Sequence, residues 1–103
     1  MTKFAAFKAA ALAPGEMRKL VLPDDRAIAI YNVDGKFYAT DDLCTHGGAS
    51  LTEDGTLSGC IIECSWHFGS FNVTTGEVVT TPCNRDLRTY PMSEVEGMLQ
   101  IEA

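Results

Sequence analysis

The chain has 103 residues, the size of one domain with a modest core, and its 46% hydrophobic and 21% charged content is that of a globular protein, not a disordered one. No apolar run approaches the ~20 residues that cross a bilayer as a helix. The 14 acidic against 8 basic residues argue against nucleic acid or an anionic membrane as a partner.

In chain order, Ala9-Ala10-Ala11-Leu12-Ala13 has the look of a cleavable signal. However, Lys8 interrupts the apolar stretch of about 7–15 residues that a signal requires, so a mature, cytoplasmic N-terminus is expected. Residues 4–12 stay open between strand and helix, since their alanines favour helix. Pro14-Gly15 and Pro23-Asp24-Asp25 read as turns. Residues 27–33 and 36–40 are strand-like, and Asp34-Gly35 between them is a hairpin signal, because both turn positions need positive φ. Residues 60–63, 71–73 and 78–79 suggest short strands, the last two separated by Thr75-Gly76. A second hairpin is expected from 88–95 and 98–102 around Glu96-Gly97. The pattern is all-β, a sandwich or small barrel without internal repeats or linkers. Between about residues 41 and 70, glycines and polar residues alternate with Cys and His, and this segment reads as loops inserted on the β framework.

Charge is segregated as well. No Lys or Arg occurs between residues 37 and 84, which carry Asp41, Asp42, Glu53, Asp54, Glu63 and Glu77. Such a stretch is either a solvated acidic surface or an acidic docking face.

Two motifs in this segment carry chemistry. Cys44-Thr45-His46 and Cys64-Ser65-Trp66-His67 each place a thiolate and an imidazole on one tight loop, with seventeen residues between His46 and Cys64. Two sulfur and two nitrogen donors suit zinc, copper or an iron–sulfur site. Disulfides among the four cysteines are disfavoured without a secretory signal. Ligand types alone leave zinc and iron both open.

The surrounding residues resemble the Rieske ferredoxins. Cys44-Thr45-His46-Gly47-Gly48-Ala49-Ser50-Leu51 is similar to that family's first cluster loop. Ile62-Glu63-Cys64-Ser65-Trp66-His67-Phe68-Gly69-Ser70-Phe71 is similar to the second, followed by Thr75-Gly76 and Pro82. The resemblance runs from the Asp34-Gly35 hairpin to Thr89-Tyr90-Pro91. It implies the Rieske fold, an antiparallel β-sandwich base with an inserted cluster-binding subdomain at about 41–70, in a single domain over 1–103. It also implies one [2Fe–2S] cluster, with Cys44 and Cys64 on the inner iron and His46 and His67 on the outer, more exposed one. Gly47, Gly48 and Gly69 would let backbone N–H groups approach the sulfurs.

Departures from the family's high-potential branch point to its ferredoxins. The positions of that branch's bracing disulfide are Ala49 and Trp66 here, and its hydroxyl positions are Gly69 and Phe71. Lost donors and nearby carboxylates both disfavour the extra negative charge of the reduced state, so the potential is expected near the bottom of the Rieske range, roughly −150 mV. Cys60 and Cys83 are expected to be free buried thiols. The cluster would take both histidines of the chain, leaving none for a facial triad or a general base, so a carrier is expected, not an enzyme. The resemblance implies a soluble, monomeric carrier that passes single electrons from a flavoprotein ferredoxin reductase to the terminal Rieske oxygenase of an aromatic ring-hydroxylating system. Trp66 and Phe68 would flank the docking tip, and Pro82 would cover the cluster.

Overall fold

The computed structural model describes residues 2–45, 48–65, 69–80 and 85–103. In chain order the elements are β1 (Lys3–Lys8), β2 (Met17–Val21), β3 (Ala27–Val33), β4 (Lys36–Asp41), the one-turn helix α1 (Leu51–Asp54), β5 (Gly55–Ser58), β6 (Ile61–Cys64), β7 (Ser70–Asn72), β8 (Val78–Thr80), β9 (Thr89–Tyr90), β10 (Met92–Val95) and β11 (Met98–Glu102). They form three antiparallel sheets, ordered β1-β11-β10, β2-β3-β4-β9 and β5-β6-β7-β8. The all-β expectation holds. The third sheet begins inside the expected insertion and continues past residue 70 to Thr80.

Both expected hairpins form. Asp34 and Gly35 take φ of 53° and 89°, and Glu96 and Gly97 take 52° and 80°, the left-handed pair that a two-residue turn requires. The open segment 4–12 resolves into β1 followed by a 3-10 turn at Ala9–Ala11. Alanine's helix preference is a few tenths of a kcal/mol per residue, roughly, and pairing of β1 with β11 outweighs it. One expected strand divides. Residues 88–95 become β9, paired with β4, and β10, paired with β11, with the break at Pro91, which has no N–H to continue a ladder. Strands β2 and β5 and helix α1 add to the elements expected from the sequence. In β2, Met17 and Leu20 pack against different cores while Lys19 is half-buried, so no period-two alternation shows.

Strand β3 positions everything else. Side chains alternate across a strand, and here both faces are covered. Ile28 and Ile30 join Leu12, Leu22, Ala39, Tyr90, Leu99 and Ile101 in the base core. Ala29 and Tyr31 join Cys44, Ala49, Leu51, Ile62, Cys64, Phe71, Val73 and Leu87 in a second core. Coverage on both faces explains why this strand reads as an apolar run instead of an alternating one.

Candidate metal centre

The first loop grows from the end of β4 and is closed at its neck by backbone bonds. Asp42 N–H donates to the Ala27 carbonyl at 3.0 Å and Leu51 N–H to the Asp42 carbonyl at 2.7 Å. Leu43 and Ser50 form an isolated antiparallel bridge. Inside this ring Cys44 N–H reaches the Ala49 carbonyl at 2.8 Å, and Gly48 N–H reaches the Cys44 carbonyl at 3.0 Å. Gly48 sits at φ 72°, a conformation that costs glycine nothing. Helix α1 follows immediately, its first turn capped by Ser50 Oγ, which accepts from Glu53 N–H at 3.3 Å. The Ser50-Leu51-Thr52-Glu53 spacing is that of a capping box, the signal by which the helix could have been found.

The second loop leaves β6 at Cys64, whose N–H donates to the Gly69 carbonyl at 2.8 Å. Ser65 ties this loop to the first, since its N–H and its hydroxyl both donate to the Asp54 carbonyl at the end of α1. A third segment joins through the Thr45 hydroxyl, which donates to the Arg85 carbonyl at 2.7 Å. The Cys44 and Cys64 side chains lie in one core cluster, 3% and 2% exposed, among Ala49, Leu51, Ile62 and Phe71. Cys44 forms no disulfide. Two thiols at the roots of two loops, in an apolar pocket that excludes water, suit a soft metal group held partly by thiolate. Ala49 and Phe71 carry no side-chain donor, and both are buried against the cysteines' cluster.

The proposed imidazole ligands His46 and His67 lie outside the described residues, as do Gly47, Trp66, Phe68, Pro82 and Cys83. Cys60 packs against the second core as a half-buried thiol, so it is less enclosed than expected.

The acidic stretch is less exposed and less uncompensated than its sequence indicates. Asp42 is buried, at 1% side-chain exposure, and accepts from Ser50 Oγ at 2.6 Å, Thr52 N–H at 2.9 Å and Thr52 Oγ1 at 2.7 Å. Lys19 of β2 comes to 3.5 Å of the same carboxylate and also pairs with Glu53. Burial alone would push the Asp42 carboxyl up. The Ser50 and Thr52 hydrogen bonds and the Lys19 charge outweigh it and hold this carboxyl below its usual range. Asp41 accepts from the Tyr90 hydroxyl. Arg26 and Arg88 line a notch beside Leu43, which is 57% exposed next to the first cysteine. Of the six carboxylates, Glu63 and Glu77 remain exposed without an ion pair among the described residues. The sequence-based charge count therefore overstates the negative field, because it could not see which cations the fold brings alongside.

Two buried thiols rooting two loops on a β scaffold are an arrangement that suits a loop-held metal centre. The chain belongs to the Rieske [2Fe–2S] domain family, whose match covers residues 2–91. It is 47% identical over 91 residues to the ferredoxin component of a p-cumate 2,3-dioxygenase system from Pseudomonas putida, covering 88% of this chain and 77% of that one. Among solved structures, a ferredoxin of Sphingomonas yanoikuyae B1 superposes with a TM-score of 0.92 at 39% identity, covering 99% of each chain. A chain in the complex of reduced oxygenase and oxidized ferredoxin of carbazole 1,9a-dioxygenase gives the same TM-score of 0.92 at 39% identity, covering 96% of this chain and 91% of that one. Among the described residues no helix is long and apolar enough to cross a membrane.

Proposed function

We propose that this chain is the electron-carrying ferredoxin of an aromatic ring-hydroxylating dioxygenase system. In this reading it is a cytoplasmic monomer that takes single electrons from an FAD-containing, NADH-dependent reductase and passes them to the terminal oxygenase. One [2Fe–2S] cluster per chain is held by Cys44, His46, Cys64 and His67, in one domain over residues 1–103 whose cluster-binding part opens at about residue 41. When bound, the cluster supplies a one-electron redox couple. The protein's task is then placement. The β scaffold fixes both loop necks, the apolar cluster around Cys44 and Cys64 keeps water from the thiolates, and exposed Leu43 offers an apolar contact beside the site.

The observation that carries this reading is the burial of Cys44 and Cys64 together, each at the root of a hydrogen-bonded loop. The oxygenase partner is supported by the relatives, which are named as ferredoxin components of dioxygenase systems. The low potential, roughly −150 mV, is supported by Gly69 and Phe71, which offer no side-chain donor, and by Ala49, which cannot form the bracing disulfide of the high-potential branch. Purified protein is expected to be reddish-brown, with about two irons per chain and a rhombic EPR signal on reduction. It should restore NADH-dependent dihydroxylation when mixed with such a reductase and oxygenase. A colourless protein with zinc in place of iron overturns the assignment, and a clearly positive midpoint overturns the low potential.

A further inference from the structure

We propose that the buried Asp42 carboxylate and the half-buried Lys19 ammonium beside it set the electrostatic field at this centre, Lys19 tempering the charge of Asp42, so that the pair tunes the reduction potential. The proposal rests on the ligand assignment above.

The carboxylate stands at the neck of the loop, two residues before Cys44. Four donors converge on it: the Ser50 hydroxyl, the Thr52 N–H, the Thr52 hydroxyl and the Lys19 ammonium. The Thr52 N–H and the Lys19 ammonium can only donate, and the ammonium carries a full positive charge, so the site favours an anion over a neutral acid. Burying an anion carries a desolvation cost, and closing a loop does not require one, because the backbone bonds from Asp42 to Ala27 and from Leu51 to Asp42 already close it. What the charge adds is a field. It acts in a low-dielectric interior, on a group beside it that gains one negative charge when an electron arrives. Lys19 extends from β2, the edge strand of the four-stranded sheet, and so links that sheet to the same field. Its second partner, Glu53, is exposed and lies on α1, just after the neck.

The sign of the effect separates a field from a support. Taking away the anion eases reduction, and taking away the cation hinders it. Loss of mere mechanical support would loosen the same neck in both variants and move the potential the same way.

The test is an anaerobic redox titration of the iron-loaded protein, with dithionite supplying the single electron that converts one ferric ion to ferrous, followed by EPR. Iron per chain is measured alongside. Asp42→Asn is expected to shift the midpoint upward and Lys19→Met to shift it downward, with the double variant between them. Glu53→Gln should shift it upward by less than Asp42→Asn, because Glu53 faces water. If Asp42→Asn does not retain iron, Lys19→Met and Glu53→Gln decide the question by moving the midpoint in opposite directions. Midpoints that stay at the wild-type value, or that shift together in one direction, overturn the proposal. A wild-type chain that binds no iron instead overturns the ligand assignment beneath it.

Discussion

Strand β3 divides the molecule into two cores that are built differently. On one face Ile28 and Ile30 meet Leu12, Leu22, Leu99 and Ile101, an aliphatic packing whose only task is burial. On the other face Ala29 and Tyr31 meet the two loop cysteines, with Ala49, Leu51 and Phe71 filling the space between. The base core is closed largely by strand pairs, the longest being β2–β3 over five residues and β3–β4 over six. The cluster-side core is closed by short strands and by side chains bonding to backbone: Ser50 to Glu53, Ser65 to Asp54 and Thr45 to Arg85. The first arrangement is stabilised by apolar area removed from water. The second relies on exposed side-chain-to-backbone bonds, with one buried carboxylate, Asp42, at the loop neck, to fix the positions of a few donors. A rigid base with a locally specified loop region is the arrangement expected where a site must be held while its tips stay accessible to partners.

The sharpest way to break this contrast is to remove a ligand. Cys64→Ala is expected to abolish iron binding while leaving the strand signature of the base in circular dichroism, because Cys64 contributes nothing to the base core. Retention of a full iron complement would remove Cys64 from the ligand set. The converse variant lies one face away. Ile30→Ala truncates a side chain with no exposure, and such truncations cost about 2–5 kcal/mol. The expected result is a large drop in the urea midpoint with iron content and reduction potential unchanged. A shift in potential as large as that of the Asp42 or Lys19 variants would show that the two cores are not separable.

The joint between the regions offers a third, smaller effect. Gly76, in the turn between β7 and β8, has φ 81°, and its carbonyl accepts from Leu87 N–H at 2.8 Å on the way back to the base. A Cβ here would lie 2.3 Å from the Leu87 carbonyl oxygen and 2.9 Å from Thr89 Cγ2. Gly76→Ala is therefore expected to cost about 1–2 kcal/mol in backbone strain alone, with the clash added. The loss should appear as a lower melting temperature, and a variant as stable as wild type would show that Leu87 moves freely.

The division between the cores also marks what could be read from the sequence. Asp34-Gly35, Glu96-Gly97, the strands they join and the paired Cys-His motifs were legible, because each is a local pattern with a local cause. Strand β2 was not, since its side chains serve two cores and lose their alternation. Neither was the Lys19–Asp42 pair, which depends on β2 lying alongside β3 and on the neck of the first loop folding back over it. Counting carboxylates between residues 37 and 84 gave the right composition but an excessive negative field, because neutralisation there is tertiary.

The smallest expected effect probes the cluster-side face of β3 itself. The Tyr31 hydroxyl lies 3.0 Å from Thr40 Oγ1, and that oxygen also reaches the Asp41 carbonyl at 2.9 Å. Tyr31→Phe removes one buried hydrogen bond and leaves Thr40 with its acceptor, a loss of about 1 kcal/mol at neutral pH. Burial raises the Tyr31 phenol above its ordinary value of 10, the Thr40 bond offsets part of that, and the Asp42 charge adds to it. Up to that pH the phenol is protonated in both the folded and unfolded chain. Above it the unfolded chain ionises while the folded one resists, so the wild type should lose stability as pH rises beyond about 10. Tyr90, raised by burial and by Asp41, contributes in the same direction and persists in the variant. The urea midpoint of Tyr31→Phe should consequently fall less steeply with alkaline pH, and the gap to wild type should narrow. Parallel slopes would mean that Tyr31 ionises in the folded chain as readily as in water, and that the cluster-side core is wetter than the base.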